Sequence, residues 1–184
     1  MNENIIVAIV GMCGSGKSEA TAIFEKDGFY KVYFGGIVIE KLKEKGSDIN
    51  EKNEKEMRQK LREEHGMEAF AKLNIPKIDE ALERGSVVID GLYSQAEYDL
   101  LIEKYGERLK LLCIYVTKKI RYDRLGSRKE RPLTKEECNE RDLAEIKKSD
   151  KGGPIALADY MIINESTIED LEENIDELIT KVLF

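Results

Sequence analysis

Apolar and polar positions fall into blocks that alternate along the chain. Residues 5–10 are a continuous apolar, β-branched run, the pattern of a strand covered on both faces. A glycine-rich turn follows. Ala20, Ile23 and Phe24 then recur at helical spacing, and Gly28 after Asp27 predicts the helix stop. Residues 31–34 predict a short second strand, and residues 87–89 a third that ends in Asp90-Gly91. Residues 109–116 predict a fourth strand and Tyr160–Ile163 a fifth. Capping boxes predict the starts of intervening helices: Ser94 with Glu97, Thr134 with Glu137, and Ser166 with Glu169. Ile168, Leu171, Ile175, Leu178 and Val182 form a core-facing stripe on the last helix. Strand and helix alternate throughout, so the pattern predicts an α/β fold with a mainly parallel sheet.

The segment 40–65 breaks this pattern. It holds eight acids and eight Lys or Arg, with Leu42, Ile49, Met57 and Leu61 as its large apolar residues. With so little to bury, it is expected as exposed helix projecting from the sheet. That leaves a solvated face or a mobile flap over a substrate site.

Composition narrows the class. The 184 residues fit one domain, with 30 Lys and Arg against 37 Asp and Glu, a net charge of −7. An acidic chain argues against non-specific nucleic-acid binding. Charged residues are 36% of the chain, so the surface is heavily ionic. The apolar runs are too short for a membrane span, and the first residues lack a basic stretch or a small-residue cleavage site. Cys13, Cys113 and Cys138 are odd in number and far apart, and there is a single histidine. These features predict a cytoplasmic protein without a disulfide scaffold or a zinc site. His65, next to Gly66, is expected as an exposed helix end.

The chemistry begins at Gly11-Met12-Cys13-Gly14-Ser15-Gly16-Lys17-Ser18, which fits G-x-x-x-x-G-K-[ST] directly between a predicted strand and helix. Glycines let such a backbone curl so that its N–H groups converge on phosphate oxygens. The helix start adds a favourable dipole, Lys17 a point charge for β- and γ-phosphates, and Ser18 a hydroxyl for Mg²⁺. Glu19 follows in the first helical turn. Cys13 reads as an inert loop position or an oxidation-sensitive thiol. Asp90, at a strand end, is a candidate to hold the metal or its water, with an ordinary turn as the alternative. Arg121, Arg124, Arg128 and Arg131 share one face of a continuous helix. They read as a polyphosphate clamp or as a solvated basic stripe. Arg141-Asp142 is a further candidate phosphate contact. No Asn-Lys-x-Asp base-reading motif of a GTPase occurs.

Together, the phosphate loop, Asp90-Gly91, Arg124-Leu125-Gly126-Ser127-Arg128 and Arg141-Asp142 resemble the adenylate-kinase-like P-loop nucleotide kinases, a superfamily that includes dephospho-CoA kinase. A closer similarity is to the archaeal dephospho-CoA-kinase-like ATPase family. It rests on Leu61-Arg62-Glu63-Glu64, Ile75-Pro76-Lys77-Ile78 and the stretch from Ala156 to Glu165. The resemblance implies a three-layer P-loop sandwich with a five-stranded parallel sheet of order 2-3-1-4-5. It implies one domain over 1–184, with a helical acceptor-binding insert near 36–84 and a small lid near 124–140. Arg124 would lie against the adenine or its phosphates. Arg128 and Arg141 would reach the transferred phosphoryl group, with Lys17 and Asp90 completing the catalytic set. Ser18 and Asp90 would hold Mg²⁺.

Ile39, Leu73 and Tyr93 stand where such kinases carry basic residues for an acceptor phosphate. The expectation is therefore an Mg²⁺·ATP-dependent phosphotransferase acting on a nucleotide or nucleotide-like small molecule, as a monomer or homodimer with neither nucleic acid nor membrane as partner. The alternative is an ATP-binding switch or slow ATPase.

Overall fold

A computed structural model of the chain describes residues 3–129 and 132–183. Five strands form one wholly parallel sheet of order β2-β3-β1-β4-β5: β1 is Ile6–Val10, β2 Tyr30–Tyr33, β3 Val87–Asp90, β4 Leu109–Tyr115 and β5 Tyr160–Ile163. This is the expected order, with the second strand one residue earlier than the hydrophobic run indicates. The central strand β1 is buried along its whole length, as its unbroken apolar run requires. Its residues alternate between two cores. Ile6, Ala8 and Val10 join one, and Val7 and Ile9 the other.

Helices α1 (Lys17–Lys26) and α9 (Ile168–Leu178) cover one face of the sheet. Helices α2 (Gly36–Glu44), α3 (Glu51–His65), α4 (Ala69–Arg84) and α5 (Gln95–Tyr105) gather over the other. Helices α6 (Lys118–Gly126) and α7 (Lys135–Ser149), with the short α8 (Gly152–Ala156), stand at the ends of the strands. The first helix stops at Asp27, and Gly28 takes the left-handed conformation with φ 91°. The Ser94–Glu97 and Thr134–Glu137 capping boxes both form. Among the described residues, no helix is long and apolar enough to cross a membrane. Cys13, Cys113 and Cys138 are all free and buried.

Two local expectations change. The last capping box is Thr167 with Asp170, one residue beyond Ser166 and Glu169. The shift turns Leu171, Ile175 and Leu178 into the core, while Ile168 is left 48% exposed. The side chain of Val182 lies outside the described residues. The charged segment 40–65 does not project bare into solvent either. Its two helices are amphipathic, and Leu42, Met57 and Leu61 enter the core beneath their charged faces, while Ile49 stays exposed. Three well-placed apolar residues suffice because α2 and α3 pack on each other and α3 packs on α4. His65 ends α3 half-buried, and Gly66 terminates it with φ 87°.

Strand register places the chemistry. Asp90 is level with Ile9 of β1 and Tyr33 of β2, so its carboxylate stands beside the exit of the central strand. Val10, on the other side, is level with Cys113. The phosphate loop, the end of β3 and the loop after β5 thus share the C-terminal edge of the sheet, where open α/β folds place ligands.

Candidate active site

The loop from Gly11 to Ser18 leaves β1 and enters α1. Gly11, Gly14 and Gly16 have φ of 144°, 83° and 94°, a curl that residues with a Cβ rarely adopt. A side chain at Gly16 would collide with Asn164. Asn164 follows β5, is held there by its backbone N–H donating to Tyr115 O, and donates from Nδ2 to Ser15 O at 2.9 Å. The far edge of the sheet therefore braces the loop. On the other side, Cys13 packs with Leu125 of α6 and Cys138 of α7.

A cavity of about 500 Å³ opens over this loop. Cys13, Gly14, Gly16, Lys17, Ser18 and Glu19 line it from below. Asp90 and Tyr93 line it from β3, and Arg124, Arg128 and Arg141 from the helical end. Asn164, Ser166, Thr167 and Ile168 close the remaining wall. Gly11, Met12 and Ser15 belong to the loop without lining the cavity. Lys17 Nζ donates to Met12 O at 3.0 Å. Burial, and next the charge of Lys151, lower the Lys17 pKa to about 8. Asp90 is half-buried, and that desolvation raises its pKa against the pull of Lys31 and Lys17. The distance from Lys31 Nζ to Asp90 Oδ2 is 3.9 Å.

The arginine stripe does not act as a unit. Helix α6 ends at Gly126, so Arg128 lies beyond it, and Arg131 lies outside the described residues. Arg121 is buried and does not line the cavity. Its Nη1 and Nη2 donate to Asp142 at 2.8 and 2.7 Å, and Nη1 donates also to Cys13 O at 3.1 Å. The Arg121–Asp142 fork thus clamps α6 to α7 and to the phosphate loop. Asp142 is structural, and Arg121 leaves the proposed clamp. The acid that neutralises it comes from another helix, which spacing along one helix cannot reveal. Arg124, Arg128 and Arg141 remain around the cavity.

Sequence reasoning missed three groups. Asn164 carries no motif of its own. Glu145 and Lys151 look like members of an ordinary charged helix, yet Lys151 is fully buried and its Nζ donates to Glu145 Oε2 at 2.9 Å. The repeating acid–base pattern of α7 hides Glu145, and Lys151 follows it as one more charged residue ahead of α8.

The oxygen donors suit a magnesium ion. Mg²⁺ is usually held through one or two carboxylates together with phosphate oxygens and water. Ser18 and Asp90 supply one hydroxyl and one desolvated carboxylate to the same cavity. Among the described residues, no cluster of three or more His, Cys, Asp or Glu forms a cage for a metal by itself.

A family model described as an AAA domain, AAA_18, matches residues 7–148. A UPF0200 protein of Thermococcus onnurineus is 35% identical over 183 residues, covering 97% of this chain and 98% of the relative. Among solved structures, shikimate kinase from Bacteroides thetaiotaomicron matches with a TM-score of 0.60 at 16% identity, covering 95% of this chain and 98% of that one. Dephospho-CoA kinase from Campylobacter jejuni matches with a TM-score of 0.57 at 17% identity, covering 98% of each chain. At such identities the two kinases share the fold alone. The sheet order, the glycine-rich loop after its central strand and the full-length similarity agree, and the chain belongs to the UPF0200 family of AAA_18 P-loop domains.

Proposed function

We propose that this protein is an Mg²⁺·ATP-dependent phosphotransferase whose acceptor is a nucleotide or nucleotide-like small molecule. The observation that carries the reading is the convergence of Lys17, Asp90, Arg124, Arg128 and Arg141 on one cavity above the phosphate loop. Phosphoryl transfer depends on positioning and charge neutralisation rather than on covalent work by the protein. The loop N–H groups and Lys17 would bind the β- and γ-phosphates. Ser18 and Asp90 would hold Mg²⁺, which neutralises charge on the phosphates when bound. Arg124 would lie against the adenine or its phosphates, and Arg128, from a lid near 124–140, together with Arg141 would reach the transferred phosphoryl group. Asp90, which lines the cavity at the end of β3, would also orient an acceptor hydroxyl.

The acceptor end differs from the donor end. Ile39, Leu73 and Tyr93 offer no cation, and Tyr93 lines the cavity. That favours an acceptor recognised by ring stacking and hydroxyl contacts over one gripped by several arginines. The test is ATP consumption screened against nucleosides, nucleoside monophosphates and dephospho-CoA. The expected result is stimulation of at least several-fold by one acceptor. Slow turnover that no acceptor accelerates would overturn the phosphotransferase and leave the ATP-binding switch.

A further inference from the structure

Lys151 is sealed from solvent, with its side chain 0% exposed, just ahead of α8. Its ammonium meets two groups. It donates to Glu145 Oε2 at 2.9 Å, and it lies 4.4 Å from the centroid of the Tyr93 ring. The Glu145 carboxylate, 12% exposed, is shared further. The backbone N–H of Cys13 donates to the same Oε2 at 3.3 Å, and Arg141 Nε lies 3.6 Å from Oε1. One carboxylate at the rim of the phosphate loop therefore collects a loop amide, an ammonium and a guanidinium.

That donor set suits a phosphoryl group better than a carboxylate. A phosphate presents three oxygens and more negative charge, and amides, lysine and arginine are its usual partners. A buried ion pair adds little net stability to a fold, so stability does not account for one placed against the backbone of a phosphate loop, behind the cavity wall. Lys17, in turn, is held by the loop itself, its Nζ donating to Met12 O.

We propose that Lys151 is a second phosphate-binding lysine of this site, and that the Glu145 carboxylate occupies the place of the nucleotide's terminal phosphoryl group until that group displaces it. The proposal rests on the nucleotide-binding reading above and deepens it. Glu145 sets the discrimination between triphosphate and diphosphate, because only a terminal phosphoryl reaches its place.

The experiment measures the dissociation constants of Mg²⁺·ATP and Mg²⁺·ADP for the wild type, Glu145→Gln, Lys151→Met and Lys17→Ala, with thermal unfolding to establish that each is folded. Glutamine keeps an acceptor for Lys151 and the Cys13 amide but carries no charge to expel. Glu145→Gln is expected to bind ATP about tenfold tighter, with ADP changed much less. Lys151→Met is expected to weaken ATP about tenfold or more, again sparing ADP. A purely structural pair would lower the melting temperature and leave the ATP-to-ADP preference as it was. An unchanged preference in folded Glu145→Gln overturns the proposal, and this variant decides alone if Lys151→Met does not fold. Wild-type binding of neither nucleotide overturns the underlying reading instead, whereas ATP binding that Lys17→Ala abolishes upholds it.

Discussion

Lys17 holds its proton loosely for a lysine. Burial, then the neighbouring Lys151, bring its pKa to about 8, so near that pH the free protein has Lys17 partly neutral. Phosphates favour the charged form and pull the pKa back up. Nucleotide binding at pH 8 should therefore take up a fraction of a proton, and ATP affinity should fall as pH rises from about 8 to 10. Calorimetric binding heats in buffers of different ionisation enthalpy measure this uptake directly. Zero uptake in the wild type would remove Lys17 from the phosphates. At this scale the curl of the glycine-rich loop between β1 and α1 was legible, because it depends on local backbone geometry. Asp142 and Lys151 were not. Their partners, Arg121 and Glu145, are determined by how α6, α7 and α8 dock, and no local pattern carries that information.

Helix α5 shows how an element can tie stability to pH. The Glu97 side chain closes its capping box, and Oε2 accepts from the backbone N–H groups of Tyr93 and Ser94 at 2.7 and 3.2 Å. Glu97 is nevertheless fully buried, and burial lifts its pKa to about 7 despite those bonds. Between the ordinary carboxylate range and pH 7 the folded protein keeps a proton that the unfolded chain has lost. Stability attributable to Glu97 therefore falls as pH rises through that window, by about 1.4 kcal/mol per unit and about 3 kcal/mol in all. Urea unfolding at pH 5, 6, 7 and 8 should show this slope in the wild type and its loss in Glu97→Gln. Parallel profiles would refute it. Strands and two of the three capping boxes were readable from the chain because their signals are short. The third box slipped by one residue because Ser166 and Thr167 are both good caps. Burial of Leu171, Ile175 and Leu178 selects between them. The charged helices α2 and α3 misled for a related reason. Composition counts apolar residues but not which face they occupy.

Across the whole molecule, the alternation of strands and helices told of a mainly parallel sheet, while the order of its strands, now observed, was implied only by the resemblance to P-loop kinases. The arrangement also implies unequal mobility. The Arg121–Asp142 fork and the Cys13–Leu125–Cys138 packing pin α6 and α7 to the phosphate loop, whereas Arg128 is exposed at the cavity rim. Mg²⁺ with a non-hydrolysable ATP analogue should therefore slow hydrogen exchange in peptides covering 124–129 more than in those covering 138–149. Arg128→Ala should diminish that protection, and Lys43→Ala should leave it intact. Unchanged exchange in nucleotide-saturated protein would dismiss the lid while sparing the phosphate loop.

The pairing of Ile9 with Asp90 has a consequence for engineering. Side chains along a strand switch faces at every residue, so inserting or deleting a single residue in β3 would turn Val87 and Ile89 out of their core and rotate Asp90 away from the cavity at the same stroke. The placement of Asp90 at the cavity and core packing are thus written in one ruler of four residues. A graft of this candidate site onto another scaffold would have to carry β1 and β3 together, as a matched pair, rather than the glycine-rich loop alone.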